Sequence, residues 1–319
     1  MITLAHAYIV GGLFFAAMSL LSLGDASNAR RLRNTVFWGL LAASFLGGDY
    51  LGDFGNGLLA LGLVIVAAFG LGQGKPATST PEERRASAEK RGNALFLPAL
   101  IIPASALVGT LIAKQTAWGP LFIQASQATL ISLVIGVLVA VGVALLWLRP
   151  PVIAPLQEGR RLIDAVGWAA ILPQMLASLG AVFLAAGVGE QVGRLFGEYV
   201  PLDTRTLAVA AYCIGMALFT IIMGNAFAAF PVMTAAVGLP IVVQIFGGDP
   251  ARVCAIGMLA GFCGTLMTPM AANFNVVPAN LLELPDRNAA LNGVIRAQIP
   301  TALPLLLANI VLMRLLAFP

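Results

Sequence analysis

The sequence predicts an all-α polytopic membrane protein of about ten helical segments, each near the 20 apolar residues that a span needs. Three observations carry that prediction. Hydrophobic residues make up 59% of the 319 positions and charged residues only 10%, whereas a soluble domain holds about 25% charged residues. Long runs lack any Asp, Glu, Lys or Arg, the longest covering 206–248. Pro, Gly and Asn interrupt some of these runs in both halves of the chain. A mean hydropathy of +0.92 excludes a soluble domain, a disordered chain, a disulfide scaffold and a nucleic-acid-binding module. A transmembrane barrel would show short alternating segments instead of continuous apolar runs.

Reading the gaps between charges gives the candidate spans in order: 4–23, 34–48, 55–72, 93–113, 121–148, 165–187, 206–223, 225–246, 253–281 and 297–318. The first has no basic leader and no small-residue cleavage site, so it is read as a retained helix. The charge-free stretch 206–248 is twice as long as one span, so the chain turns inside it. Asn225, Pro231, Gly238 and Pro240 are the residues able to make that turn. A re-entrant hairpin and two full helices both fit. The polar segment 73–92 reads as a solvated cytoplasmic linker, and EQVGRLFGEYV at 190–200 as an amphipathic helix on the outer surface.

Basic loops orient the spans. Arg30, Arg31 and Arg33 follow the first span, Lys75, Arg84, Arg85, Lys90 and Arg91 sit in the polar linker, and Arg149, Arg160 and Arg161 form a third group. Asp49 and Asp53 fall between the first two groups, and Lys114 and Trp118 between the next two. The alternation places the three basic loops in the cytoplasm and the N-terminus outside. A net charge of +4 and a pI of 9.3 then reflect loop bias, not nucleic acid.

Two segments echo each other. GNALFLPALIIPASALVG runs from Gly92, and GNAFAAFPVMTAAVG runs from Gly224. An interrupted apolar segment follows each: GPLFIQASQATL from Gly119, and GTLMTPMAANFNVVPAN from Gly264. The halves 1–150 and 151–319 are therefore expected to be inverted repeats. Irregular backbone survives in a membrane only where protein or a water-filled cavity satisfies it. Broken segments at matching positions mark a transporter site. Asn225 and Asn93 are expected at hairpin tips. Thr268, Asn273 and Asn275 are expected along the unwound stretch, with Gln124, Ser126 and Gln127 as first-half counterparts. Pro231, Pro269, Gly224 and Gly264 would hold the breaks. Gly257-x-x-x-Gly261 reads as helix packing.

No formal charge is expected to be buried, so recognition would rest on amides, hydroxyls and helix dipoles. That chemistry suits a small carboxylate, with Na⁺ or H⁺ as the coupling ion and no cofactor. Cys213, Cys254 and Cys263 form no CxxC, and His6 is the only histidine, so no metal site is expected. An intramembrane aspartyl protease is the enzymatic alternative, since Gly52-Asp53 resembles half of its motif. Tyr50 replaces the first glycine, and Asp49 lies in the same short loop. The chain is read as no enzyme. An accessory membrane subunit is a third reading.

The stretches GNAFAAFPVMTAAVGLPIV and GFCGTLMTPMAANFNVVPANLLELPD resemble a bacterial integral membrane family associated with 5-oxoproline (pyroglutamate) uptake, the larger subunit of a two-component transporter. The likeness runs over nearly the whole chain and is most specific at 224–285. More distantly the chain is similar to the ion transporter superfamily, whose members pair re-entrant hairpins with broken helices. The resemblance implies an elevator-like transport domain and a smaller companion membrane subunit; a homo-oligomer of this chain is a further candidate assembly. This chain carries Gly-Asn-Ala at 92–94 and 224–226 where dicarboxylate carriers of that superfamily carry Ser-Asn-Thr.

Overall fold

The computed structural model describes residues 1–76, 79–116, 118–199, 202–282 and 287–318. The side chains of Pro81, Pro120, Pro173, Gln174, Leu176, Ala177, Phe196, Ala272, Asn273, Asn280, Arg287 and Asn288 also lie outside the description. Among the described residues, seven helices are long and apolar enough to cross a membrane. The protein is a multi-pass, all-α membrane protein. It divides into two compact units, Met1–Gly167 and Trp168–Pro319.

In the first unit α1 spans Leu4–Leu23, α2 Arg31–Ala68, α3 Pro81–Arg91, α4 Leu97–Gln115, α5 Gly119–Phe122, α6 Ala128–Leu148 and α7 Ala154–Val166. The long α2 is two antiparallel arms. Gly52 has φ 59° and ψ −176°, a backbone state essentially reserved for glycine. Arg33 Nη1 donates to the Phe69 carbonyl at 2.5 Å, and Asn34 Nδ2 donates to the Gly72 carbonyl at 2.7 Å. A straight helix would hold residues 33 and 69 about 54 Å apart. The two spans read at 34–48 and 55–72 are thus the arms of a hairpin whose tip carries exposed Asp49 and Asp53.

α4 and α6 also run antiparallel. A Cβ at Gly136 would lie 2.7 Å from the Ser105 Cβ, so only glycine admits this approach. Gln124 ties the break before α6 to the N-terminus: its Oε1 accepts from the Leu4 N–H at 3.2 Å, and its N–H donates to the Ile2 carbonyl at 3.0 Å. The basic segments gather at the opposite end. Arg84 pairs with Glu158 at 3.8 Å, Arg91 lies 5.8 Å from the Trp147 ring centroid, and Arg160 reaches Asp25 at 3.4 Å. The linker is less solvated than its composition suggests. Its 70–75 stretch is bonded to α2, and Thr80 and Glu83 form a reciprocal cap that starts α3. α7 belongs with this unit, so the compact boundary falls at Gly167.

In the second unit α8 spans Leu172–Ala185, α9 Val188–Tyr199, α10 Arg205–Met223 and α11 Ala226–Met233, which passes into a π-helical stretch at Thr234–Ile245. α12 follows at Pro250–Thr265, then a π-helical turn at Ala272–Val276, α13 at Val277–Leu281 and α14 at Arg287–Leu316. α8 and α9 meet at a bend of 71°. α9 does not simply lie on a surface: a Cβ at Gly193 would sit 3.0 Å from the Ala236 carbonyl oxygen, so its small-residue face packs on the π stretch.

α10 runs parallel to α12, and both run antiparallel to α11 and α14. Gly257 faces Tyr212 and Gly261 faces Met216 and Thr220, so this glycine pair serves close helix packing, as its spacing predicts; Gly264, expected to hold the break, lies inside α12 and faces Ala217 and Thr220. The Tyr212 and Thr234 hydroxyls share a bond of 2.9 Å, which satisfies both inside a core of Met216, Met233, Val237, Val253 and Met313. At the far end the Asp249 N–H donates to the Ala317 carbonyl at 2.7 Å.

Candidate functional site

Two segments picked out by sequence meet in the second unit. α10 ends at Gly224, whose φ of 76° sends its N–H back to the Thr220 carbonyl at 2.7 Å. Asn225 is extended and caps α11, its Oδ1 accepting from the Phe227 N–H at 2.7 Å. This tip seats on the break after α12. A Cβ at Gly224 would lie 2.7 Å from the Met270 Cβ and 2.9 Å from its carbonyl oxygen.

The break consumes the polar side chains around it. α12 ends at Thr265, and Thr268-Pro269 keeps the chain from resuming it, because proline disfavours the α conformation at the residue before it. The Thr268 hydroxyl donates to the Ile221 carbonyl at 2.9 Å and accepts from the Met270 N–H at 3.3 Å. Asn275 donates from Nδ2 to the carbonyls of Thr265 at 2.9 Å and Thr268 at 2.7 Å. The Thr265 carbonyl is one that the end of α12 leaves without a partner, and the Thr268 carbonyl, beyond that end, also accepts from the Ala271 N–H at 3.3 Å.

Three oxygens remain unmatched. Asn275 is 0% exposed, and its Oδ1 has no hydrogen-bond partner among the described residues. The same holds for the Thr220 hydroxyl and for Gln298 Oε1, although Gln298 Nε2 donates to the Phe274 carbonyl at 3.1 Å. A buried polar atom left unmatched costs about 1–3 kcal/mol. Such atoms are acceptors suited to an N–H donor or a cation. Phe262 stands between Phe227 at 5.9 Å and Phe274 at 6.0 Å, so the flank is aromatic. The tip and break contain no charged residue. The N-terminus of α11 supplies partial positive charge.

Gln298 also sets the depth of the site along α14. It stands about 27 Å from the C-terminal end of that helix and about 16 Å from its start, at 1.5 Å per residue. The π-helical turn that holds Phe274 thus meets α14 partway along its length. Sequence reading missed Gln298. The available signal was an amide two residues before Pro300, within an apolar span.

Gly224, Asn225, Gly264, Thr268, Pro269 and Asn275 come together here. Pro231 holds no break: it lies inside α11 and packs against α8, where a Cβ at Gly180 would lie 3.3 Å from its Cγ. The side chain of Asn273 lies outside the described residues. In the first unit Asn93 is exposed in a 3-10 turn, Gln124 clamps the N-terminus, Ser126 is exposed, and Gln127 precedes α6 without a side-chain cap bond. The matching Gly-Asn-Ala strings do not share a backbone: Gly92 has φ 52° and ψ −136°, against φ 76° and ψ −2° at Gly224. The recurrence lies elsewhere. Gly167, with φ 61° and ψ −137°, repeats the Gly92 turn, and at both a five-residue 3-10 turn leads into Leu-Pro and a new helix.

Formal charge is buried after all, near one end of the first unit. Asp164 on α7 is 6% exposed and Arg160 8%. Asp164 Oδ1 accepts from Asn34 Nδ2 at 3.0 Å and Trp38 Nε1 at 3.2 Å. Burial pushes the Asp164 carboxyl above the usual carboxylate range. The bonds from Trp38 and Asn34 and the nearby Arg160 oppose that rise, and Asp25 adds to it. The sequence concealed this group because α7 is amphipathic and its partners come from α1 and α2.

The family model described as "Protein of unknown function (DUF979)" matches residues 5–318. No curated protein and no solved structure matches the chain.

Proposed function

The chain belongs to the DUF979 family, and on that premise we propose that it is a secondary transporter subunit. It moves a small carboxylate by alternating access, with 5-oxoproline as the leading substrate. The observation that carries this reading is the Gly224–Asn225 tip seated on the Thr268–Pro269 break, beside the buried, unmatched Asn275 Oδ1. A carboxylate suits the N-terminus of α11. A lactam N–H suits the amide oxygens of Asn275 and Gln298. A tip and break without charged residues leave the substrate's charge to be balanced by dipoles and by a coupling ion, Na⁺ or H⁺. The substrate leaves unchanged, so the chain acts as a carrier and not an enzyme.

The resemblance to 5-oxoproline uptake proteins supports an elevator-like motion and a smaller companion membrane subunit. Basic segments collected at one end of the first unit support a cytoplasmic assignment for that end and an outside N-terminus, and the resemblance supports a bacterial inner membrane.

The test is uptake of labelled 5-oxoproline into proteoliposomes holding this chain alone or with its companion subunit, under Na⁺ and proton gradients. Gradient-driven accumulation of unchanged label is expected. Asn225→Ala and Asn275→Ala, purified as monodisperse protein, should lose it. Full uptake by both variants removes the site. Uptake of another small carboxylate but not 5-oxoproline removes the substrate. Failure of every carboxylate leaves the accessory-subunit reading.

A further inference from the structure

A buried polar cluster away from the site ties four segments of the first unit together. Asp25, just after α1, accepts from the Ser27 N–H at 3.0 Å and the Ser27 hydroxyl at 2.6 Å. Arg160 on α7 reaches Asp25 at 3.4 Å and donates to the Leu21 carbonyl at 2.7 Å. Asp164, one turn further along α7, holds Asn34 and Trp38 of α2. Asn34 also grips the 70–75 strap from both sides. Its Nδ2 donates to the Gly72 carbonyl at 2.7 Å, and its Oδ1 accepts from the Gly72 N–H at 2.9 Å. The Lys75 N–H donates to the Ser27 hydroxyl at 2.8 Å. Glycine is required at Gly72 and Gly74, where a Cβ would overlap the Asn28 side-chain oxygen and the Asp25 carboxylate.

The charges in this cluster do not balance. Arg160 is ion-paired to Asp25, Asp164 feels that guanidinium only at longer range, and the Arg160 Nε has no partner among the described residues. The other cations on the packed elements are turned elsewhere: Arg30 donates to the Leu71 carbonyl, Arg33 donates to the Phe69 carbonyl, Arg161 pairs with Glu158, and Arg31 and Lys75 are exposed. Removing an ionised carboxylate from water is expensive without a full partner. A proton on Asp164 makes the cluster neutral. Its Oδ1 keeps accepting from Asn34 and Trp38 while Oδ2 carries the proton, so no hydrogen bond is lost.

We propose that Asp164 is a proton-binding site that controls how tightly α7 and the 70–75 strap are held on the α1–α2 corner. The strap leads into α3 and the polar linker, so the proton acts on the one long hydrophilic segment of the chain. The direction follows from the raised affinity for the proton. The closed arrangement holds the proton better than an exposed aspartate does. Its added stability is complete below the ordinary aspartate range and is lost as pH rises through the raised value. Acidification tightens the strap, and alkalinisation loosens it. This inference stands apart from the transport reading.

The experiment uses the full chain in lipid nanodiscs, with Trp118, Trp147 and Trp168 replaced by Phe so that Trp38 is the sole indole. Trp38 emission is followed against pH, alongside amide hydrogen exchange of residues 70–75 corrected for intrinsic rates. Expected is one Trp38 transition above the ordinary carboxylate range, with strap protection falling through the same transition. Asp164→Asn should remove both changes and leave the strap protected throughout. Asp25→Asn should move the midpoint down by about one pH unit, the size of a neighbouring charge's effect, and Arg160→Gln should move it up. These two opposed shifts keep the test decisive if Asp164→Asn does not fold. A pH profile unchanged in Asp164→Asn, or midpoints unmoved in the other two, overturns the proton site. A Trp38 transition without any change in strap exchange overturns the control of the strap.

Discussion

The Thr268 hydroxyl donates to the carbonyl of Ile221 at 2.9 Å, across 47 residues of chain. That bond fastens the break after α12 to the last turn of α10. It joins two irregular pieces of backbone, each of which frees polar groups that lipid cannot satisfy. Asn275 completes the repair by donating to Thr265 and Thr268.

Thr268→Val keeps the shape and removes the hydroxyl. The Ile221 carbonyl and the Met270 N–H lose their partner, at a cost of about 1–3 kcal/mol. Thermal unfolding in detergent should show that loss, and Thr268→Ser should recover most of it. Equal melting of the Val and Ser variants would show that this bond does not fasten the break.

Gly52 and Gly224 separate strain from contact. Gly52→Ala puts a Cβ into open space among the described residues, so its cost is the φ of 59° alone, about 1–3 kcal/mol. Gly224→Ala adds a contact at 2.7 Å with Met270. The Gly224 variant should melt lower than the Gly52 variant. The opposite order would mean that the tip is not seated on Met270.

Gln298 has one bonded end and one unmatched end. Gln298→Leu gives up the bond to the Phe274 carbonyl, worth about 0.5–1.5 kcal/mol, and also removes the buried Oε1. Stability should change little. Substrate affinity in the uptake assay should fall about tenfold, equivalent to 1.4 kcal/mol. Unchanged affinity would confine Gln298 to holding the π turn.

Trp38 bonds to the ionised form of Asp164 and opposes the effect of burial. Trp38→Phe therefore leaves the carboxylate less stabilised, so the proton stays bound to a higher pH. Stability measured across pH should begin to fall at a higher pH than in the wild type. A downward shift would show that another group controls the titration.

Composition and the spacing of charges were enough to reveal a multi-pass helical protein, because lipid admits only apolar spans whose backbone bonds close within themselves. The five candidate spans before residue 150 all appear as helices or hairpin arms; of the four residues able to turn the charge-free stretch only Asn225 stands at the turn, while Pro231, Gly238 and Pro240 lie inside helix, and the chain is irregular around Thr268–Pro269. Local chemistry marks such points, since proline removes a donor and glycine allows positive φ.

Sequence alone could not decide which polar side chains meet. The Gly-Asn-Ala match suggested a repeat whose backbones differ, because three residues do not determine how a turn packs. Gln298 and Asp164 stand on helices distant in sequence from their partners. Only packing places Gln298 beside Phe274, and Asp164 beside Asn34 and Trp38. Sequence thus determined where the chain crosses and breaks, through solvation of the backbone. Tertiary structure decided which polar atoms are buried and which of them are left unmatched, because burial and hydrogen bonding depend on neighbours that no local pattern records.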